Sequence, residues 1–318
     1  MNPHKQLTIG VFDSGCGGLS VLRALLPLIP NARYIYLGDT ARLPYGSKSH
    51  ETIARYAVSS AKFLHEQGAE LLIIACNTAT ALALEDIQQA LPIPVIGVVQ
   101  PGAQAALATG KTIESPQNRV PHLRDGLSGG THGRVPHLRD GLIVAKVGEA
   151  PQLSGANEVL VLATVATVQS HAYTRALNAL GLKATEKACP LLVPLVEEGW
   201  INHPVTDEVL KIYLAEALTA APGTHTLLLG CTHYPLLEPA VHRTLAALHH
   251  PLTIIDSARA TAHAVAAHLG LDPQSSTRPA QNSECIFYAT DSIEKFQHLG
   301  SSFLGQPINE VHLIDLGG

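Results

Sequence analysis

Residues 71–84 read LLIIACNTATALAL and decide the fold class of this chain. The uncharged apolar start is typical of a strand buried in a parallel sheet, and the Thr/Ala/Leu run after it is typical of a helix. Cys76, Asn77 and Thr78 are therefore predicted to lie on the turn between them, where open α/β sheets bind ligands. Free N–H groups and the helix dipole should lower the pKa of the Cys76 thiol, so we predict a reactive cysteine.

A second stretch, TLLLGCTHYPLL at 226–237, repeats this arrangement. An apolar strand again ends at a cysteine, Cys231, and two polar residues follow it, Thr232 and His233. Two strand-end cysteines in matching settings predict two halves of one site. The alternative is that each cysteine is a small buried core residue, which is the commonest fate of a free cysteine. The polar neighbours of both cysteines argue against that alternative.

The composition of the 318-residue chain excludes several classes of function. With 46% hydrophobic and 15% charged residues, it is typical of a soluble globular protein that can form two domains. The net charge of -5 predicts no surface for nucleic acid or for an acidic membrane. No apolar run is long enough to span a bilayer, and no secretory signal is recognisable. We therefore expect a cytoplasmic protein that binds neither nucleic acid nor membrane.

The cysteines and histidines raise the question of disulfides and metals. Five cysteines without a CxxC pair argue against a disulfide framework and leave thiols free for chemistry. Zinc is the competing interpretation, because Cys231 and His233 lie close together in a chain with 17 histidines. A structural zinc site needs four ligands, usually in recognisable pairs, and the sequence has no second pair. We predict no metal site.

A glycine-rich turn, DSGCGG at 13–18, follows the first predicted strand and precedes a helix. One interpretation is dinucleotide binding, with Asp39 on the ribose. Against it, Ser20 replaces the third glycine of the fingerprint, and Asp13 would face the pyrophosphate. We favour a turn whose backbone N–H groups approach a small ligand while Asp13 meets its cationic part. A helix-capping role for Asp13 is the structural alternative.

Alternating strands and helices up to about residue 108 predict a doubly wound parallel sheet. The pattern breaks down at about 110–157, where RVPHLRDGL occurs twice, at 119–127 and 134–142. Two copies are too few for a solenoid, so we predict a mobile surface insert, with a lid or a partner-binding arm as the alternative. Strands and helices then resume, and the elements from 253 onward are predicted to complete the first sheet.

Other polar groups lie on predicted loops or strand ends. Tyr45 and Gly46 belong to a loop rich in Pro and Gly, and Thr164 and Thr167 follow a strand that begins at residue 158. Glu197 has apolar neighbours that should raise its pKa, although a solvated acid at a helix end is an equally good interpretation.

Four motifs together resemble the cofactor-independent aspartate/glutamate racemase family. They are DSG at 13–15, PYG at 44–46, CNT at 76–78 and CTH at 231–233, in the order and spacing of that family. The resemblance covers nearly the whole chain apart from the repeat insert, and four motifs in register make it specific.

The resemblance implies two doubly wound parallel-sheet domains of α/β class, flavodoxin-like and related by a pseudo-twofold axis, with the active site in the cleft between them. On this basis the first domain comprises 1–99 plus 253–318, and the second comprises 100–252. The implied activity interconverts L- and D-glutamate without pyridoxal phosphate or another cofactor, and supplies D-glutamate for peptidoglycan synthesis and cell shape. A homodimer is compatible with this resemblance, and the sequence leaves the oligomeric state open.

The resemblance also implies which residues act. Cys76 would take the α-proton from D-glutamate and Cys231 would take it from L-glutamate, since inversion needs an acid/base group on each face. Asp13 would meet the ammonium group. The other implied substrate contacts are Ser14, Tyr45, Gly46, Asn77, Thr78, Thr232 and His233, of which Asn77, Thr78 and Thr232 would bind carboxylates. Thr164 and Thr167 would help to hold substrate, and Glu197 with His233 would support the second thiol. The alternatives are a racemase of aspartate or of another amino acid, and a dinucleotide-binding or regulatory protein.

Overall fold

A computed structural model describes residues 6–113, 158–272 and 283–317 of the chain. The strands are β1 (Thr8–Asp13), β2 (Arg33–Gly38), β3 (Leu71–Ile74), β4 (Val95–Gly97), β5 (Glu158–Ala163), β6 (Lys183–Ala188), β7 (Thr226–Gly230), β8 (Thr253–Asp256), β9 (Cys285–Ala289) and β10 (His312–Leu313). The helices are α1 (Leu19–Leu28), α2 (His50–Glu66), α3 (Asn77–Ala90), α4 (Val99–Ile113), α5 (Val165–Ser170), α6 (Ala172–Ala179), α7 (Leu192–Glu197), α8 (Pro204–Ala220), α9 (Glu238–Ala247), α10 (Ser257–His268) and α11 (Ile293–Leu304). Short 3-10 turns cover Thr40–Arg42, Tyr45–Ser47 and Tyr234–Leu237. In these ranges no helix is both long and apolar enough to cross a bilayer.

The strands form two sheets in which every pair is parallel. The first has the order β10-β9-β2-β1-β3-β4, and the second has the order β6-β5-β7-β8. Buried apolar side chains lie on both faces of each sheet, which explains why the strands are apolar runs rather than alternating patterns. This confirms the predicted fold class of two doubly wound, flavodoxin-like sheets.

The two sheets share one internal order. In the first, the strands β2-β1-β3-β4 take the chain order 2-1-3-4, and the second sheet gives the same order with β6-β5-β7-β8. Cys76 follows the third strand of one set and Cys231 follows the third strand of the other. The equivalent positions support the pseudo-twofold relation.

The prediction that the chain from 253 onward completes the first sheet is right for β9 and β10 and wrong for β8. Strand β8 pairs with β7 along its length, from Thr226 with Thr253 to Leu229 with Asp256. The reason is the chain connection: β7, α9 and β8 form a βαβ unit, and such a unit commonly places its second strand beside its first. Helix α10 then contacts both α1 and α4 before the chain returns to the first sheet. Elsewhere the predicted division into domains stays a prediction.

The predicted insert at 110–157 lies almost wholly outside the described residues. Its first four residues belong to helix α4, which is described as far as Ile113. Both copies of RVPHLRDGL fall in the remainder, so the interpretation as a mobile surface segment stays a prediction.

Candidate active site

The polar strand ends meet at a cavity of about 370 Å³ between the two sheets. In a sheet of order 2-1-3-4 the strand order reverses between strands 1 and 3, and ligands bind outside the carboxyl ends at that point. In both sheets the carboxyl ends at this reversal of strand order face the cavity. Cys76 lies on one wall of the cavity and Cys231 lies on the other. The predicted residues that line it are Ser14, Tyr45, Gly46, Cys76, Asn77, Thr78, Thr164, Glu197, Cys231, Thr232 and His233. Asp13 and Thr167 are fully buried behind this wall.

Cys76 caps the N-terminus of helix α3, as its place in the sequence predicts. The Ala79 N–H donates to its Sγ at 3.4 Å, and the thiol lies 3.5 Å from the Ser14 hydroxyl. Burial, and then the charge of Asp13, nevertheless raise the pKa of Cys76 to about 12. The prediction of a lowered pKa is therefore wrong, because desolvation outweighs the helix terminus. Cys76 is a thiol at neutral pH.

Cys231 begins a chain of polar groups that crosses the site. Its Sγ lies 4.0 Å from His233 Nδ1, and His233 Nε2 lies 3.3 Å from Glu197 Oε1. The second oxygen of Glu197 is 3.3 Å from Lys295 Nζ on helix α11. Burial disfavours the charged imidazole, but the contact with Cys231 and the ion pair with Glu197 outweigh burial and raise the pKa of His233 to about 10. His233 is therefore a buried cation at neutral pH, in contact with both Cys231 and Glu197.

Glu197 differs from the sequence prediction. The His233 imidazolium, whose Nε2 lies 3.3 Å from Glu197 Oε1, lowers the pKa of this carboxyl although burial opposes the charge. The predicted rise in the pKa of Glu197 is wrong, because the positive charge of His233, from a distant segment, outweighs the apolar neighbours of Glu197. Glu197 is thus an anion paired with His233, and its support of the second thiol stays a prediction.

The ionisation of His233 should make stability depend on pH. Its pKa rises from 6.5 to about 10 on folding, so between these values the folded state holds a proton that the unfolded state releases. This contribution is fully present below about pH 6.5 and is lost as the pH rises through about 10. We expect the Tm of wild type, relative to His233→Asn, to fall steadily across this window. Thermal unfolding of both proteins at several pH values tests this, and a pH-independent difference would contradict it.

Three threonine hydroxyls from both sheets form one cluster. Thr78 Oγ1 lies 3.0 Å from Thr164 Oγ1 and 3.2 Å from Thr167 Oγ1, and the last two are 2.9 Å apart. Gly46 closes against the same cluster, because a Cβ there would lie 3.3 Å from Thr164 Cβ. Hydroxyls both donate and accept, so this wall of the cavity can bind carboxylate oxygens.

Asp13 lies buried at the end of β1. Burial raises the pKa of its carboxyl, although the charge of His233 and the backbone N–H groups of the glycine-rich turn lower it. Its Oδ2 accepts from the Gly15 N–H at 3.1 Å, and its Oδ1 has no hydrogen-bond partner in the described part of the chain. Helix α1 has Gly18 at its N-cap without a side-chain hydrogen bond, which weakens the helix-capping alternative. A buried carboxylate oxygen without a partner fits a cationic group of a ligand.

The Asp39 carboxylate is bound by other side chains of the protein, and this argues against the dinucleotide alternative. The Tyr45 phenol donates to Asp39 Oδ2 at 2.5 Å, and the Thr290 hydroxyl donates to Oδ1 at 3.0 Å. Arg42 forms an ion pair with the same carboxylate at 3.4 Å. Both oxygens are therefore engaged, and a ribose would have to displace these partners.

Several residues of the site were not predicted. Gly17 is one: a Cβ there would lie 2.5 Å from Thr232 Oγ1 and 2.6 Å from His233 Nδ1, so this glycine lets the two motifs meet. Lys295 is another, because the sequence around it does not indicate its ion pair with Glu197 on α7. The remaining unpredicted lining residues are Leu43, Pro44, Ser47, Val165, Cys189, Pro190, Val193, Pro194 and Glu198. Two segments carried a signal in the sequence: the PYG motif at 44–46, which includes Pro44, and the Cys/Pro-rich run from 189 to 194.

Comparison with known proteins gives a consistent result. The model of the Asp/Glu/Hydantoin racemase family matches residues 9–114 and 141–265. A glutamate racemase of Koribacter versatilis is 44% identical over 336 aligned residues, which cover 99% of this chain and 99% of that protein. A glutamate racemase of Aquifex aeolicus is 36% identical, with 95% of this chain and 96% of that protein covered.

Solved structures agree over the full length. The glutamate racemase of Francisella tularensis, in complex with D-glutamate, has a TM-score of 0.74 at 30% identity and covers 98% of both chains. The glutamate racemase of Thermus thermophilus, in complex with β-chloro-D-alanine, has a TM-score of 0.71 at 34% identity, again with 98% of both chains covered. The chain belongs to the Asp/Glu/Hydantoin racemase family of isomerases.

Proposed function

We propose that this protein interconverts L- and D-glutamate, with Cys76 and Cys231 as the two acid/base groups and without pyridoxal phosphate. The observation that carries the proposal is that both cysteines follow equivalent strands and line one cavity from opposite sheets. Inversion at the α-carbon requires removal of a proton from one face and delivery to the other. Two thiols on opposite walls meet that requirement.

The two thiols have different surroundings. The raised pKa of Cys76 keeps it a thiol at neutral pH, while Cys231 Sγ lies 4.0 Å from His233 Nδ1. In the proposed reaction Cys231 starts as the thiolate and removes the α-proton of L-glutamate, and Cys76 delivers its own proton to the other face. The products are D-glutamate, a protonated Cys231 and an ionised Cys76, so protons and charge balance. The D-to-L reaction is the reverse of these steps.

The polar groups of the cavity suit glutamate. Asp13 offers an unpartnered carboxylate oxygen for the ammonium group, which stays charged and stabilises the carbanion at the neighbouring carbon. The hydroxyls of Thr78, Thr164 and Thr232 suit the carboxylates. The similar glutamate racemase of Francisella tularensis is in complex with D-glutamate, which supports the same substrate.

Racemisation in heavy water tests the proposal. Purified protein is incubated with L-glutamate in deuterium oxide without pyridoxal phosphate, and optical rotation and α-deuteration are followed. We expect rotation to decay to zero while deuterium enters at the α-carbon. The same assay with aspartate separates glutamate from aspartate specificity, and calorimetry with NAD tests the dinucleotide alternative. An enzyme that leaves glutamate unchanged would overturn the proposal.

The proposed biological role is the supply of D-glutamate for peptidoglycan synthesis in the cytoplasm, and hence for cell-wall formation and cell shape. Full-length similarity to glutamate racemases supports it. Deletion of the gene should make growth depend on added D-glutamate.

We also propose a homodimer, which sedimentation of the purified protein tests directly.

Glu197→Gln should lower kcat/KM and move its alkaline limb to lower pH. The substitution removes the anion that helps to raise the pKa of His233, so the imidazolium is lost at a lower pH. A fall in kcat/KM of about tenfold is the expected scale for losing one charged hydrogen bond. Lys295→Met is the matched control, because it removes an exposed charge from the same chain of groups and should have little effect. An unchanged alkaline limb in Glu197→Gln would contradict the role of this carboxylate.

A further inference from the structure

Tyr173 on helix α6 is a fully buried side chain that joins the two halves of the site. Its hydroxyl lies 2.7 Å from the Asn77 Nδ2, across the boundary between the sheets. Asn77 is the residue directly after Cys76 and lines the cavity. Tyr173 itself is absent from the cavity wall, so any effect on the reaction must pass through its neighbours.

The ring of Tyr173 contacts the other cysteine motif. A Cβ on Gly230, the residue directly before Cys231, would lie 2.9 Å from the ring, and one on Gly102 would lie 3.5 Å from it. Two glycines thus make room for this ring. Tyr173 therefore contacts a residue adjacent to each thiol. Its hydroxyl contacts Asn77, next to Cys76, and its ring packs against Gly230, next to Cys231.

The hydrogen bond between Asn77 and Tyr173 has one direction. The Nδ2 group of Asn77 donates to the phenol oxygen of Tyr173 at 2.7 Å. Both side chains are buried, so water does not compete for this bond.

This direction sets the orientation of the Asn77 amide. With its NH₂ group held by Tyr173, Asn77 keeps Oδ1 for the ligand, and this buried oxygen has no partner among the described residues. A carbonyl oxygen accepts hydrogen bonds, so it suits the ammonium group of an amino acid. In this orientation the Asn77 side chain would bind the ammonium group, whereas the family resemblance implies a carboxylate.

We propose that Tyr173 is a positioning residue of the racemase site, which fixes the Asn77 amide so that Oδ1 faces the substrate ammonium and packs against Gly230 to hold the Cys231 motif. The inference rests on the proposed amino-acid racemisation. It predicts that the phenol hydroxyl matters for activity only through Asn77.

A double-mutant cycle tests this inference. The proteins are wild type, Tyr173→Phe, Asn77→Ala and the double variant, assayed on whichever of glutamate and aspartate the wild type racemises. Tyr173→Phe keeps the ring and should lower kcat/KM about tenfold or more, chiefly through a higher KM, because a hydrogen bond that orients a binding group is lost. In the Asn77→Ala background the same change should have almost no further effect. Tyr34→Phe is the matched control, since it removes a buried phenol that donates to the Ile29 carbonyl at 3.0 Å in the first sheet.

The outcomes separate this inference from the proposed function. Suppose that the wild type racemises its substrate. The positioning role alone is then overturned if Tyr173→Phe leaves kcat/KM unchanged, or if it lowers kcat/KM just as much in the Asn77→Ala background. It is also overturned if Tyr34→Phe lowers kcat/KM by the same factor. A wild type that racemises neither amino acid overturns the proposed function. The dissociation constant for glutamate is then measured for the four proteins of the cycle in place of kcat/KM. If Tyr173→Phe does not fold, Tyr173→His takes its place in the cycle, because it keeps a planar ring and removes the phenol hydroxyl. A loss of kcat/KM that disappears in Asn77→Ala is again the expected result.

Discussion

Replacing either Cys76 or Cys231 with alanine is expected to lower kcat for both glutamate enantiomers by about 10²–10⁴-fold, the usual contribution of a positioned acid/base group. Each variant lacks the group on one face of the α-carbon, so inversion stops in both directions. Because the enantiomers have equal free energies, kcat/KM must fall equally for L- and D-glutamate.

Deuterium exchange makes this prediction specific for each thiol. In heavy water, residual α-deuteration should be confined to L-glutamate in Cys76→Ala, which keeps Cys231, and to D-glutamate in Cys231→Ala. Cys285→Ala is the matched control, because this cysteine lies on β9, outside the cavity. Wild-type racemisation by either active-site variant would exclude the two-thiol mechanism.

The second large effect is expected for Asp13→Asn. The substitution keeps the shape but removes the buried carboxylate that we assign to the substrate ammonium. Loss of one member of a buried charge pair should reduce kcat/KM by about 10²–10³-fold, mainly through a higher KM. Steady-state kinetics on both enantiomers measure the loss.

The control for this variant is Asp256→Asn. Asp256 is also a buried carboxylate, but it caps helix α10 by accepting from the Ala258 N–H at 2.8 Å, and asparagine can make the same bond. Its kcat/KM should stay near that of wild type. Equal losses in both variants would mean that Asp13 acts through stability rather than through substrate.

Much of the fold could be predicted because buried parallel strands read directly as apolar runs. LLII and TLLLG are such runs, and the polar residues after them lie where the predicted sheet places them. The sheet to which β8 belongs could not be predicted from its own residues, TIID, because a short strand does not encode its partner. That choice follows from its connection to β7.

The electrostatics of the site could be predicted only in part, since they arise from contacts between distant segments. Cys76 meets Ser14, which lies 62 positions away, and Glu197 meets Lys295, which lies 98 positions away. The contact of Tyr173 with Asn77 spans 96 positions. Local sequence gives the helix dipole at Cys76 but not the depth of burial, and burial decides the pKa.

A crystal structure of the protein with D-glutamate bound tests the two-thiol mechanism most directly. The mechanism predicts the α-carbon between Cys76 Sγ and Cys231 Sγ, with each sulfur on its own face at about 3–3.5 Å and the ammonium group at Asp13. Glutamate bound outside this cavity, or both sulfurs on one face of the α-carbon, would contradict it.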